Sequence, residues 1–190
     1  MKDRLISICL FAAIFSPSIG LSQHPFVSVG GEIAIPNSYG LKMVAGTLMG
    51  GSLRIESAFG KHTAGLATIG YLFSTKQNPF PTEPNTTSTY KALPLQVGIK
   101  YYIKEKGLVQ KGFFFSGELG LIFTTTHFTY ATNPDNKRNE TDLSLAPGIG
   151  YLLGKLESSF RLQYDLSDSG FKVYYYNLRL AYAFIKNNKT

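Results

Sequence analysis

Hydrophobic and polar residues alternate along most of the chain, beginning near residue 26. Successive side chains of a β-strand point to opposite faces, so this period of two predicts strands that each have one apolar face. No helical period and no helix start signal are found after residue 23. The alternating segments lie at about 26–36, 47–59, 66–74, 92–103, 113–130, 142–154, 159–167 and 173–185. The pattern therefore predicts an all-β protein with eight strands.

The two faces of the predicted strands differ in composition. One face is uncharged and consists mainly of bulky residues, such as Leu178, Leu180 and Tyr182 in the last segment. The other face is rich in Gly, Ala and Ser, and it carries charges. Its acids are Glu32, Glu56, Glu118 and Asp165, and its bases are Arg54, Lys100, Arg161 and Arg179. Because these formal charges cancel and buried charges are costly unless paired, we predict a structural ion-pair network on an enclosed face.

Two kinds of β-barrel have strands with one apolar face. A soluble barrel, such as a lipocalin, turns the apolar face inward, whereas a membrane barrel turns it outward against lipid. A solvent-facing surface would carry more Lys, Glu and Thr than the polar face does here, while a narrow interior needs small residues to accommodate its large ones. The bulky face would also overfill a small interior. We therefore predict an eight-stranded antiparallel, up-and-down transmembrane β-barrel.

The connections between the predicted strands alternate in length. Compact connections such as "GKHTAG" and "GKLES" follow even-numbered strands, whereas longer ones such as "PNSYGLKMVAG" and "TNPDNKRNET" follow odd-numbered strands. This is the asymmetry between short periplasmic turns and long extracellular loops, so we expect both chain termini on the periplasmic side. Within the sixth strand, Pro147 cannot donate a ladder hydrogen bond, and we expect it to mark a β-bulge.

The first residues form a segment that directs export. Lys2 and Arg4 precede the apolar run "LISICLFAAIF", and small residues follow, with Gly20 and Ser22 suited to a cleavage site. We predict a signal peptide over 1–22 and a barrel domain over 23–190. The single Cys9 lies in the signal segment, so the exported chain has no disulfide. Localisation in the bacterial outer membrane is expected.

Composition adds two exclusions. The chain has 190 residues, of which 44% are hydrophobic and 16% charged, so it is not intrinsically disordered. Its formal net charge of +7 could suggest nucleic acid. However, the sequence has no Lys/Arg cluster and no nucleic-acid-binding motif, so no nucleic-acid partner is expected.

The pattern resembles the small eight-stranded outer-membrane barrels, namely the transmembrane domain of the OmpA type and its OmpX-like relatives, and in style the outer-membrane barrels of Bacteroidota. The last strand, "YYYNLRLAYAF", resembles the C-terminal signal that the outer-membrane assembly machinery reads, with Tyr182 and the final aromatic Phe184 as its key residues. The tail "IKNNKT" is a departure, because many members end at the aromatic residue. The resemblance implies outer-membrane lipid and the assembly machinery as partners.

No residues point clearly to catalysis, and we expect no catalytic, metal or cofactor site. A lipid A deacylase barrel would carry His-x-Ser on a late strand, but Asp165 stands two residues before Ser167 and no His lies near. His127 on the fifth strand has no nearby Cys or pair of acids in the sequence, so we expect no metal site there.

The function expected from the sequence is therefore non-enzymatic: a structural or surface-interaction role through extracellular loops. A loop containing Pro79, Phe80, Pro81 and Pro84 is a candidate for binding an extracellular ligand. The alternatives are a narrow small-solute channel, although an eight-stranded interior is too narrow for general porin behaviour, and a lipid A-modifying enzyme.

Overall fold

The computed structural model describes residues 26–79, 86–103, 111–130, 136–165 and 172–184, with the backbone alone described at 165 and 172–174. Eight antiparallel strands form one closed barrel, in which each strand pairs with its neighbours in sequence and β8 pairs with β1. The strands are β1 (Phe26–Pro36), β2 (Leu48–Ala58), β3 (Thr63–Gln77), β4 (Thr87–Tyr102), β5 (Gly112–Thr129), β6 (Asn136–Leu153), β7 (Leu156–Asp165) and β8 (Lys172–Phe184). The predicted fold class and strand number are confirmed.

The barrel closes where the first strand meets the last. The register runs from Val27 opposite Phe184 to Pro36 opposite Tyr175, so the ladder between β1 and β8 is long and antiparallel. Closure leaves no open sheet edge, and every strand can satisfy its backbone groups on both sides. Both described chain ends lie at the same end of the barrel, which we call the termini end.

A short helix, α1 (Tyr39–Val44), lies in the connection between β1 and β2 at the opposite end, which we call the α1 end. The prediction that no helix follows residue 23 is therefore wrong for this segment. Ser38 is the N-cap, and its hydroxyl accepts a hydrogen bond of 3.3 Å from the backbone N–H of Leu41. Leu41 is buried beneath the helix. No helix among the described residues has the length and hydropathy needed to cross a membrane.

Several strands extend further toward the α1 end than the hydrophobic pattern indicated. β3 ends at Gln77, β4 begins at Thr87 and β6 begins at Asn136. These extensions consist largely of Thr, Ser, Asn and Lys, which continue the ladder without apolar alternation. The expected bulge at Pro147 is wrong, because the register with β7 is the same before and after it, from Leu145 opposite Tyr164 to Gly148 opposite Arg161.

The outer surface is a belt of exposed apolar side chains. On β8, Leu178, Leu180 and Phe184 are 51%, 65% and 57% exposed, while the alternate residues Arg179, Ala181 and Ala183 are buried. The same alternation recurs on the other strands, for example at Val29, Ile33, Leu53, Ile69, Leu95, Phe115, Leu143, Ile149 and Phe160. A continuous belt of this kind is suited to lipid and not to water, so the barrel has the outward apolar face of a membrane protein.

Candidate functional site

The interior of the barrel, which we call the lumen, is filled by three layers of side chains. At the α1 end lies an apolar layer, formed by Ala34, Leu41, Ala45, Leu48, Leu72, Tyr90, Ala92, Ile122 and Tyr175. A charged layer occupies the middle. At the termini end lies an aromatic layer, formed by Ala64, Tyr102, Phe114 and Leu152. Apart from Leu41 and Ala45, which come from the connection between β1 and β2, these residues are inward-facing residues of the strands, as expected of a small barrel whose interior is packed.

The charged layer contains a closed ring of six alternating charges. Its members, in order, are Glu157, Arg54, Glu118, Arg161, Glu32 and Arg179, and Arg179 returns to Glu157. The N–O distances are 2.9 Å for Arg54–Glu157, 2.7 Å for Arg54–Glu118, 3.2 Å for Arg161–Glu118, 2.8 Å for Arg161–Glu32, 3.6 Å for Arg179–Glu32 and 2.9 Å for Arg179–Glu157. The two pairs of Arg54 join β2 to β5 and β2 to β7, which are not adjacent strands, so these pairs cross the lumen.

Two further charged residues, Lys100 and Glu56, extend the network beyond this ring. Lys100 lies 2.7 Å from Glu157 and also forms an ion pair with Glu56. Its ammonium group lies 4.1 Å from the centre of the Phe114 ring, which connects the charged layer to the aromatic layer. The Tyr102 hydroxyl donates a hydrogen bond of 2.9 Å to Glu56. Four acids and four bases are therefore matched, and their charged groups are almost entirely buried.

Neutral polar groups complete the coordination of the charges. Arg54 Nε donates to the Thr68 hydroxyl at 3.1 Å, and Arg179 Nε donates to the Ser52 hydroxyl at 2.8 Å. Asn177 donates to Glu32 at 2.7 Å. Such additional hydrogen bonds help to offset the free-energy cost of desolvating buried ions, because ion pairing alone does not fully compensate for it.

Inward-facing glycines make room for these large side chains. A Cβ atom on Gly150 would lie 2.3 Å from Cζ of Phe114, and one on Gly148 would lie 2.8 Å from Cγ of Arg161. Real Cβ atoms do not approach other atoms this closely, so the Phe114 ring and the Arg161 stem occupy the space that a side chain on β6 would fill. The abundance of Gly on the polar face of the sequence pattern thus has a steric cause.

Seven of the eight residues expected in the lumen network meet there, and one member was missed. Glu157 was assigned to the turn "GKLES", but β7 begins at Leu156 and Glu157 faces the lumen, 1% exposed. The signal was present in the sequence, because Glu157 shares the parity of Arg161 and Gln163. Asp165 pairs in register with Ser144 and Lys172, and its side chain lies outside what the structure describes.

The other candidate residues lie elsewhere. Tyr182 and Phe184 face outward on β8 with a ring separation of 5.2 Å, and their role in assembly stays a prediction. Pro79 is buried at the end of β3, where the Asn78 N–H donates to the Thr86 carbonyl at 2.7 Å. Phe80, Pro81 and Pro84 lie outside the described residues, as does Ser167. Within the described chain, no three His, Cys, Asp or Glu residues are grouped as metal ligands.

Comparisons with known proteins agree with this architecture. No protein-family model matches the sequence, and no curated protein matches it. Among solved structures, the attachment invasion locus protein Ail of Yersinia pestis, in complex with the heparin analogue sucrose octasulfate, superposes with a TM-score of 0.59 at 15% identity, covering 84% of this chain and 97% of Ail. Ail in a phospholipid bilayer nanodisc gives a TM-score of 0.51 at 15% identity over 85% of this chain and 100% of Ail.

Neisserial surface protein A is similar as well. It gives a TM-score of 0.52 at 14% identity, covering 86% of this chain and 97% of that protein. At these identities the similarity concerns the fold. The fold is that of an eight-stranded outer-membrane β-barrel like Ail and Neisserial surface protein A, as the resemblance to the OmpX-like barrels implied.

Proposed function

We propose that this chain is a non-enzymatic protein of the bacterial outer membrane that acts through the surface at its α1 end and does not conduct solutes. The observation that carries the proposal is the filled lumen, in which cross-lumen ion pairs lie between an apolar and an aromatic layer. With the interior occupied, the lipid-facing wall and the two ends remain for recognition. The longer connections at the α1 end favour its placement outside the cell.

The chemistry at the α1 end favours an anionic partner. Lys42 is exposed on α1, and Arg138, on β6, has 74% of its side chain exposed. Arg138 is paired with Glu140, which leaves part of its guanidinium accessible. The fold neighbour Ail forms a complex with sucrose octasulfate, which makes this sulfated sugar a suitable probe. We propose that the ligand is a polyanion, bound by cations around the mouth of the barrel.

Calorimetric titration of the folded protein with sucrose octasulfate tests the ligand class. The wild type should bind with an affinity that falls as salt concentration rises, because screening weakens exposed charges. Lys42→Gln combined with Arg138→Gln should weaken binding. Lys91→Gln combined with Lys137→Gln removes the same charge from the outer side of the wall and should leave binding nearly unchanged. Absence of wild-type binding, or equal weakening by the two pairs, refutes a polyanion site at the mouth.

A narrow channel is the second candidate, and one observation favours it. Among the described residues, several buried polar atoms of the charged layer have no hydrogen-bond partner, namely Ser116 Oγ, Ser159 Oγ, Arg161 Nε and Asn177 Oδ1. Such atoms are usual sites for internal water, which a conducting path would need. Planar-bilayer recordings separate the two functions. The wild-type protein should give no single-channel current steps. Reproducible current steps would refute our proposal and favour the channel.

A further inference from the structure

We infer that the outer wall of the barrel at the α1 end carries a binding site for the phosphate of anionic lipid headgroups, formed by Lys91, His127 and Lys137. This site is distinct from the mouth of the barrel, where a soluble ligand would bind. It lies on the side of β4, β5 and β6 that continues the apolar belt.

The register places the three basic residues together. Lys91 on β4 is opposite Thr125 on β5, which is opposite Asn139 on β6. The next row outward contains His127 opposite Lys137. From strand spacing and rise, the Cα atoms of Lys91 and Lys137 lie about 12 Å apart, with His127 between them. Long Lys side chains bridge such a gap readily, so the three groups can converge on one headgroup.

The height of these rows matches the headgroup region. On β4 the outward residues Leu93, Leu95, Ile99 and Tyr101 form the apolar belt, and Lys91 is the next outward residue beyond it. The distance from Lys91 to Tyr101 is about 34 Å along the strand, or about 26 Å along the membrane normal at a tilt of about 40°. Since the apolar band of such barrels is about 25 Å tall, Lys91 lies at the level where hydrocarbon gives way to headgroups.

The described outward positions around this patch carry bases and no acid. Among the described residues of β3 to β6 beyond the belt, the outward positions carry Thr, Gln, Asn, Lys and His, but no acid. Glu140 and Asp142 have the opposite parity, opposite the buried Thr124 and Ile122, so they belong to the lumen side. Lys91 and Lys137 are both exposed. A purely cationic patch next to lipid attracts anionic headgroups and gains little from facing neutral ones.

Neighbouring hydroxyl and amide groups supply further hydrogen bonds. Thr125 donates from its hydroxyl to the Asn139 side-chain oxygen at 2.9 Å, which leaves the Asn139 amide NH₂ available to an acceptor such as phosphate. Two ammonium groups, an imidazole and an amide therefore belong to neighbouring positions of the wall. This combination of charge and donors fits a phosphate oxygen better than the single charge of a carboxylate-bearing lipid.

Electron spin resonance of spin-labelled lipids tests the site in phosphatidylcholine vesicles containing the folded protein. Spin-labelled phosphatidic acid should associate with the wild-type barrel more strongly than spin-labelled phosphatidylcholine, by roughly threefold to tenfold at low salt. Lys91→Gln with Lys137→Gln should bring this preference close to one. Lys42→Gln with Arg138→Gln removes the same charge from the same end and should retain the preference.

Two outcomes overturn the inference. If both pairs of substitutions reduce the preference equally, the effect is one of overall charge and no site exists on the wall. If replacing chloride by inorganic phosphate at constant ionic strength abolishes the preference, the residues bind free phosphate and not the lipid headgroup. Heat-modifiable migration on gels verifies that each variant is folded, so that a lost preference reports on binding.

Discussion

Glu157 is the residue on which the lumen network depends most. It accepts ion pairs from Arg54, Lys100 and Arg179, which come from three different strands. Arg54 and Lys100 have further carboxylate partners at comparable distances, in Glu118 and Glu56. For Arg179 the other carboxylate partner among the described residues is Glu32, at the longer distance of 3.6 Å. Without the Glu157 carboxylate, these three cations would lie close together and repel one another.

Glu157→Gln should lower the free energy of unfolding by about 3–5 kcal/mol, because it leaves buried cations with too few acids. Arg179→Leu should cost less, roughly 1–3 kcal/mol, since Glu157 keeps two cations. The two changes should be non-additive by more than about 1 kcal/mol in a double-mutant cycle. Urea unfolding in vesicles followed by circular dichroism measures this, as the chain has no Trp for fluorescence.

The exposed pair Arg138–Glu140 provides the matched control for that cycle. Its side chains are 74% and 39% exposed, so solvent screens the interaction and the coupling energy should be about 0–1 kcal/mol. If the coupling between Glu157 and Arg179 is no larger than this control value, the ring does not stabilise the barrel.

At the scale of the strand, the sequence predicted well which face each residue lies on, but it predicted the strand ends poorly. Alternation is strict where one face meets lipid, so Leu178 and Arg179 could be assigned to opposite faces of β8 without a structure. Beyond the lipid-facing segment both faces are polar, the alternation ends, and the extension of β3 to Gln77 left no hydrophobic signal. The missed helix α1 has six residues, too few for a helical period to be recognised.

Leu180→Arg tests the lipid-facing side of β8. Leu180 is 65% exposed and lies opposite Gly31 on β1 and Ser158 on β7. A charge there should destabilise the barrel by about 2–4 kcal/mol if it lies near the bilayer midplane. Tyr39→Arg, on α1 at a residue 80% exposed, should change the free energy by less than about 0.5 kcal/mol. Equal urea midpoints for the two variants in vesicles would contradict the lipid-facing assignment.

At the scale of the whole molecule, the closed barrel has to present an apolar surface to lipid and also pack its polar face in a narrow interior. The lipid requires an apolar exterior and paired backbone groups, which the closed sheet provides. The strands' other face then has to be packed within a narrow interior, where matched charges and glycines fill the space. Pairing partners could not be read from the sequence, because Arg54 and Glu157 are 103 residues apart and their meeting depends on the register of strands across the lumen.

The three layers of the lumen close it in series, so opening one should not produce a channel. Arg54→Ser with Glu157→Ser empties part of the charged layer without changing its net charge, yet conductance in planar bilayers should remain absent. The apolar and aromatic layers still close the path, because narrow hydrophobic constrictions expel water. When Tyr90→Ser in the apolar layer and Phe114→Ser in the aromatic layer are added to this variant, single-channel current steps should become measurable. Steps from the charged-layer variant alone, with folding verified by heat-modifiable migration, would mean that the ion pairs are the principal barrier and the two outer layers are permeable.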